Sequence, residues 1–169
     1  MTHNTKRRLV EVVLVTASLL FWFETSWPKG EPVAQKINCV NNLRMIGAGL
    51  TMWAYDHDGK YPFNVSTNAG GTLEFCASGS DGFDSNSARH FQVVTNAEQL
   101  PTPLLLVCPQ DRSKKAATEL RKLGPANVTY RLRTGTRIDL SHPKEVLAVC
   151  PIDGNTLYCD GTVVKGKNQ

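Results

Sequence analysis

Two kinds of hydrophobic pattern run along this chain. The first is a near-continuous apolar run at residues 9–23, broken only by Glu11, Thr16 and Ser18 and preceded by the basic triplet Lys6-Arg7-Arg8. Carried on to Trp27 it is about 19 residues, or about 28 Å of helix, close to one hydrocarbon thickness. The apolar part alone would also serve as the core of a signal peptide. However, no small-x-small cleavage site follows it, and Phe21, Trp22, Phe23 and Trp27 gather where an interfacial belt would lie. The expectation is a signal anchor: residues 1–8 a cytoplasmic basic segment, 9–27 a transmembrane helix, and 28–32 a linker broken by Pro28, Gly30 and Pro32. A buried core helix is the rival reading. Glu11 is costly in such a span; lying one turn after Arg7, it is relieved by a local ion pair or interfacial water, or it meets a charge on another subunit.

The second pattern starts at Val33. Ile37, Val40, Leu43, Ile46, Leu50, Trp53 and Ala54 follow at three-and-four spacing, which marks one face of a helix about 25 residues long. Gly47 and Gly49 inside it cost about 1 kcal/mol each relative to Ala, which points to a close approach of strands. Asp56-His57-Asp58-Gly59 ends the helix, with Gly59 as a left-handed cap and Pro62 beyond it. The periods then shorten. Residues 63–88 read as a Gly/Ser/Asn-rich loop with a short strand at 72–76, and 90–95 alternate weakly. Residues 104–108, between Pro103 and Pro109, suggest a buried strand, and 116–123 a helical turn or two. Short strands are expected at 129–133, 146–150, 156–159 and 162–165, with Asp153-Gly154 and Asp160-Gly161 as hairpin turns. The helix face is the surface apolar enough to cover this meander. The expected fold is therefore α+β: an N-terminal transmembrane helix, then a long amphipathic helix packed on a small antiparallel sheet, with 33–169 as one globular head.

Composition narrows the classes. At 169 residues, 41% hydrophobic and 20% charged, the chain suits one globular domain and excludes disorder, collagen-like repeats and coiled coil as whole-chain answers. A net charge of +4 without a concentrated basic stripe excludes a nucleic-acid partner. The basic cluster ahead of the apolar run places the amino end in the cytoplasm and everything after the run outside it, a single-pass topology in the cytoplasmic (inner) membrane with the carboxyl-terminal domain periplasmic.

Cys39-Val40-Asn41-Asn42-Leu43-Arg44-Met45-Ile46-Gly47, followed by Trp53-Ala54-Tyr55-Asp56-His57-Asp58-Gly59-Lys60-Tyr61-Pro62, resembles the first soluble helix of type IV pilin-like proteins. Within them it is most similar to the pseudopilin-G-like proteins of type II secretion that carry a C-x-N-N-L-[RK]-x-I-G helix. Gly70-Gly71-Thr72, His90-Phe91-Gln92-Val93, Leu106-Val107-Cys108-Pro109-Gln110-Asp111 and Leu157-Tyr158-Cys159-Asp160-Gly161-Thr162-Val163 resemble later family segments in the family's order, the third its C-P-x-D piece and the last its closing hairpin. The resemblance spans roughly residues 33–165. It implies a membrane-embedded amino-terminal helix, an exported head, and assembly with other pilin-like subunits or secretion-system proteins. It also implies calcium in a carboxyl-terminal loop, for which Asp153 and Asp160 are the positions to inspect. Glu11 matches the glutamate that pairs with a neighbouring subunit's free amino terminus. The processing site departs from the family: Lys6 stands where the cleavage glycine belongs and Arg7-Arg8 where Phe-Thr belongs.

Candidate chemistry is thin. Five cysteines, Cys39, Cys76, Cys108, Cys150 and Cys159, would lie where oxidation is permitted. Cys150 and Cys159 flank a hairpin turn and are one candidate disulfide; Cys76 with Cys108 is another; buried free thiols are the alternative. With no C-x-x-C and no close His pair, a structural zinc site is not expected. Asp56-His57-Asp58-Gly59 resembles the opening of a calcium loop but lacks its distal ligands, so a helix cap explains it better. A Cys nucleophile with His90 as base is formally available. Arg131, Arg133 and Arg137 form a basic edge, either a solvated face or a site for an anionic surface ligand.

The leading expectation is a non-catalytic, membrane-anchored pilin-like structural protein without cofactor, in contact with membrane lipid. An anchored binding module using the 63–88 loop and the arginine edge is the alternative, and an exported thiol enzyme the third.

Overall fold

A computed structural model describes residues 31–166, with side chains from Asn38 onward. The chain divides into two units, Met1–Pro32 and Val33–Gln169, of which the second holds the head. The first described element is helix α1, Glu31–Tyr55. Val40, Leu43, Ile46, Leu50, Trp53 and Ala54 are buried on one side of it, as the three-and-four spacing predicts. At its end the Gly59 N–H reaches back to the Ala54 carbonyl at 2.9 Å, with Gly59 at φ +76°. His57 stacks on Trp53 with ring centroids 3.5 Å apart. The Asp-His-Asp-Gly segment is thus a helix cap.

Among the described residues no helix is long and apolar enough to cross a membrane. The expected fold class, with a spanning helix as its first element, is corrected to an α+β head of two α-helices and a four-stranded sheet. Helix α1 has the length but not the character, because Asn41 and Arg44 lie exposed on its outer side. The run 9–27, with Lys6, Arg7, Arg8 and Glu11, lies outside the described residues.

The carboxyl half is the predicted meander. Strands β1 (Arg131–Leu132), β2 (Val146–Val149), β3 (Thr156–Tyr158) and β4 (Val163–Val164) pair antiparallel in sequence order. A register shift between Val146 and Ala148 bulges β2 against β3. Gly154 and Gly161, both at positive φ, sit in the β2–β3 and β3–β4 turns. Leu132, Leu147, Ala148 and Leu157 join the α1 stripe in one buried cluster. At Gly47 the helix comes close to the sheet: a β-carbon there would stand 3.0 Å from Leu157 Cδ1.

The middle of the chain differs from expectation. Residues 72–76 hold a 3-10 turn, Leu73–Phe75, instead of a strand. Residues 90–95 belong to helix α2, Ala88–Asn96, which buries Ala88, His90, Phe91, Val94 and Thr95. Residues 104–108 form the 3-10 turn Pro103–Leu106 and a short extended tail. Leu104 is 67% exposed, and the buried members are Leu106 and Cys108. The N–H groups of the run are spent locally instead of on a ladder: Leu105 donates to the Thr102 carbonyl, Val107 to the Leu104 carbonyl and Cys108 to Thr129 Oγ1. Residues 116–123 form turns without a helix.

Candidate functional site

Three segments distant in sequence meet at the core side of α1. Cys39 comes from the helix and Cys108 from the tail of the Pro103–Leu106 turn; Cys150 lies just past β2, and Asp153 in the β2–β3 turn. The three sulfurs and a carboxylate oxygen of Asp153 all lie within 4.8 Å of one another. All three cysteines are fully buried, while Asp153 is half-buried at the rim.

Local chemistry explains the convergence. One turn beyond Cys39, Asn42 Nδ2 donates to the Val107 carbonyl at 3.2 Å, tying the helix to the segment that carries Cys108. The Cys108 N–H donates to Thr129 Oγ1 at 3.1 Å, and that hydroxyl donates to Asp111 Oδ2 at 2.7 Å. Cys150 is fixed by the hairpin: its N–H donates to the Asn155 carbonyl at 2.8 Å, and its own carbonyl accepts from Gly154 N–H at 2.9 Å. Cys108 Sγ donates to Asp153 Oδ2 at 3.4 Å, and Tyr130 Oη donates to Cys39 Sγ at 3.7 Å.

These thiols hold their protons. The pKa of Cys39 is pushed up to about 12, first by its contact with Cys108 and then by burial. That of Cys108 is pushed up to about 12 by Cys150, with burial adding to it. Cys150, although eased by Cys108, rises to about 12 through Cys39 and burial. As a bare cluster they are neutral and poorly nucleophilic.

A second constellation gathers Cys76, Asp84 and His90. Its composition suggests a nucleophile, base and orienter, but its hydrogen bonds do not form that relay. His90 Nδ1 is engaged by Thr72 Oγ1 at 2.7 Å, and His90 Nε2 faces Asp84 Oδ2 at 3.4 Å without a hydrogen-bond partner among the described residues, so no hydrogen bond joins the ring to the thiol. Cys76 Sγ donates to the Phe63 carbonyl at 3.4 Å, and burial, then Asp84 and Glu74, push its pKa up. Asp84 itself accepts from the N–H groups of Ala77 and Asn86 at 2.6 and 2.7 Å, which shapes the loop entering α2.

All five cysteines are free in this structure, the candidate pairs Cys150 with Cys159 and Cys76 with Cys108 among them. The sulfur of Cys108 has Cys39 and Cys150 as neighbours, Cys76 lies with Asp84 and His90, and the Cys159 carbonyl accepts from Tyr61 Oη at 3.2 Å. The calcium candidates separate too. Asp153 joins sulfur donors, which a hard cation does not favour, and Asp160 accepts from Thr162 N–H at 2.8 Å in its own turn. The arginine edge is largely neutralised. Arg131 makes a paired contact with Asp81 at 2.6 and 3.2 Å, and Arg133 and Arg137 share Glu145 at 3.6 and 3.4 Å. In the 63–88 loop, Glu74 accepts from Ser66 Oγ and Thr67 N–H at 2.6 and 2.8 Å, which stitches the loop to itself.

In the sequence Cys39 reads as part of a helix motif, and nothing in its spacing connects it with Cys108 and Cys150. One signal is present: Cys108-Pro109-Gln110-Asp111 and Cys150-Pro151-Ile152-Asp153 are the same C-P-x-D turn written twice. No protein-family model, curated protein or solved structure matches the chain.

Proposed function

We propose that this chain is a non-catalytic structural protein of the pilin-like kind, whose exported head packs against further copies through the outer side of α1. The observation that carries the reading is the exposure of Met45, Met52 and Tyr55, at 46, 55 and 75%, on the side of the helix turned away from the core. They stand seven and three residues apart, so they share one face, and large apolar groups aligned on a helix invite another helix. The resemblance of Cys39–Gly47 and its continuation to pilin-like helices supports the same reading. So does the raised pKa of the thiols, which leaves Cys39, Cys76, Cys108 and Cys150 without the character of an activated nucleophile. The paired arginines weigh against the rival module that binds an anionic ligand.

The test is a photo-crosslinking residue at position 52 of the full chain, expressed in its native envelope, beside sedimentation of the purified protein. Self-crosslinks that Met45→Glu with Tyr55→Glu abolishes, at unchanged circular dichroism, are expected. A chain that stays monomeric over all concentrations and gives no self-crosslink refutes the assembly reading.

A further inference from the structure

The buried thiol cluster has the composition of a closed metal site. Tetrahedral zinc with sulfur ligands at about 2.3 Å places those sulfurs about 3.8 Å apart, and a set of three thiolates and one carboxylate satisfies its coordination number. Cys39, Cys108, Cys150 and Asp153 already bring four donor atoms within 4.8 Å of one another, so a small contraction closes the tetrahedron. We propose that these four residues bind one zinc ion, or a divalent cation of the same borderline softness, as a structural centre that clamps α1 to the base of the sheet.

Three independent features support a metal centre over a chance meeting of thiols. First, Tyr130 Oη donates to Cys39 Sγ at 3.7 Å, the kind of outer contact a metal-bound thiolate takes, and Cys108 and Cys150 each open one of the two C-P-x-D turns. Second, Asn155 is 4% exposed, and its Nδ2 has no hydrogen-bond partner among the described residues. Asn155 sits against the cluster through its carbonyl, which accepts from the Cys150 N–H at 2.8 Å, and a buried amide donor without an acceptor is costly unless a thiolate supplies one. Third, the two C-P-x-D turns differ in the way a single site requires. Asp111 is consumed by Ser113 and Thr129, whereas Asp153 turns its carboxylate to the sulfurs.

Binding needs no oxidant. Three thiol protons leave to solvent as three metal–sulfur bonds form, and the Asp153 carboxylate supplies the fourth ligand. The half-buried Asp153 gives the ion its way in. A sulfur-rich donor set excludes calcium and magnesium and selects zinc, with cobalt as its spectroscopic substitute. Metal binding concerns the head alone and stands or falls separately from assembly through α1.

The test uses the full chain, reduced with a phosphine, stripped by a chelator and titrated with Co2+. Expected are one cobalt per chain, a sulfur-to-cobalt charge-transfer band with tetrahedral ligand-field bands, and displacement by one equivalent of Zn2+. Cys39→Ser, Cys108→Ser and Cys150→Ser should each weaken binding by about 100-fold or more, and Asn155→Leu by about 10-fold. Cys76→Ser and Cys159→Ser should leave it unchanged. Because a buried cysteine variant can fail to fold, Asp153→Asn provides the decisive arm: at the rim it keeps the side-chain volume, and it should weaken cobalt binding by about 10-fold at unchanged circular dichroism. The proposal is overturned by a folded, reduced chain that takes up no cobalt. It is equally overturned by a cobalt spectrum that Cys108→Ser and Asp153→Asn leave untouched.

Discussion

Gly49 in α1 faces the Gln99 carbonyl so closely that a β-carbon at position 49 would lie 2.6 Å from that oxygen and 2.8 Å from Leu100 Cδ2. The segment leaving α2 therefore rests directly on the backbone of α1. Helix propensity alone says that Gly→Ala here gains about 1 kcal/mol. The contact reverses the sign, because the obstructing atom is backbone and the helix cannot turn without dragging Ile46 and Leu50 out of the core. Gly49→Ala is expected to destabilise the head by about 1–3 kcal/mol in urea denaturation. Equal or greater stability would mean that the two segments are not in contact.

His90 predicts how stability responds to mild acid. Burial lowers its pKa, and Asp84, facing Nε2, opposes that shift without overcoming it; Arg89 adds to the lowering. Thr72 and Cys76 complete its surroundings. A folded-state pKa below the unfolded value of 6.5 means that the unfolded chain takes up the proton first. Stability is then complete above pH 6.5 and declines as the pH falls from there through the folded-state value. The midpoint of urea unfolding should drop over that range in the native chain, and the drop should be smaller in His90→Gln. An identical decline in both would place the sensitive group elsewhere.

Asp111 controls a different pH window. Burial would raise its pKa, but hydrogen bonds from Ser113 and Thr129 prevail and hold the carboxyl below its ordinary 3.8. Asp111→Ala leaves the Thr129 hydroxyl, which also receives the Cys108 N–H, without its acceptor. The expected cost is about 1–3 kcal/mol at neutral pH. Since a depressed carboxylate stabilises fully only above its unfolded pKa, native and variant should converge as the pH falls below 3.8 and through the folded-state value. A difference that persists unchanged in acid would show that charge plays no part.

What the sequence made legible depended on repetition. The α1 stripe from Val40 to Ala54 could be read because successive turns of helix repeat the same face, and the last two hairpins because Gly154 and Gly161 mark turns that need positive φ. Helix α2 could not: in nine residues it buries His90 and Thr95 beside Phe91 and Val94, so polar groups occupy core positions and blur the period. Ser87 adds to the difficulty, since its hydroxyl accepts from Leu132 N–H at 2.9 Å and pins β1 instead of capping α2. The thiol cluster was hidden for another reason. Its members meet only through tertiary contacts, and Cys39 is indistinguishable in sequence from any other small apolar residue on a helix stripe.

Thiol reactivity offers the last prediction and the sharpest check on whether any cysteine is activated. Cys76 is half-buried, and burial, Asp84 and Glu74 all push its pKa up, so little thiolate is present at neutral pH. Cys159 is buried and its pKa is pushed up to about 11, and Cys39, Cys108 and Cys150 lie fully inside the core. In the native, metal-free, reduced chain, iodoacetamide should modify Cys76 slowly, at a small fraction of the rate of a free thiol and faster as the pH is raised. The other four should react only on the timescale of unfolding. Peptide mass mapping against time resolves the five sites. Rapid labelling of any one of them at neutral pH would reveal a free thiolate, against the raised pKa of all five thiols, and would reopen the case for thiol chemistry.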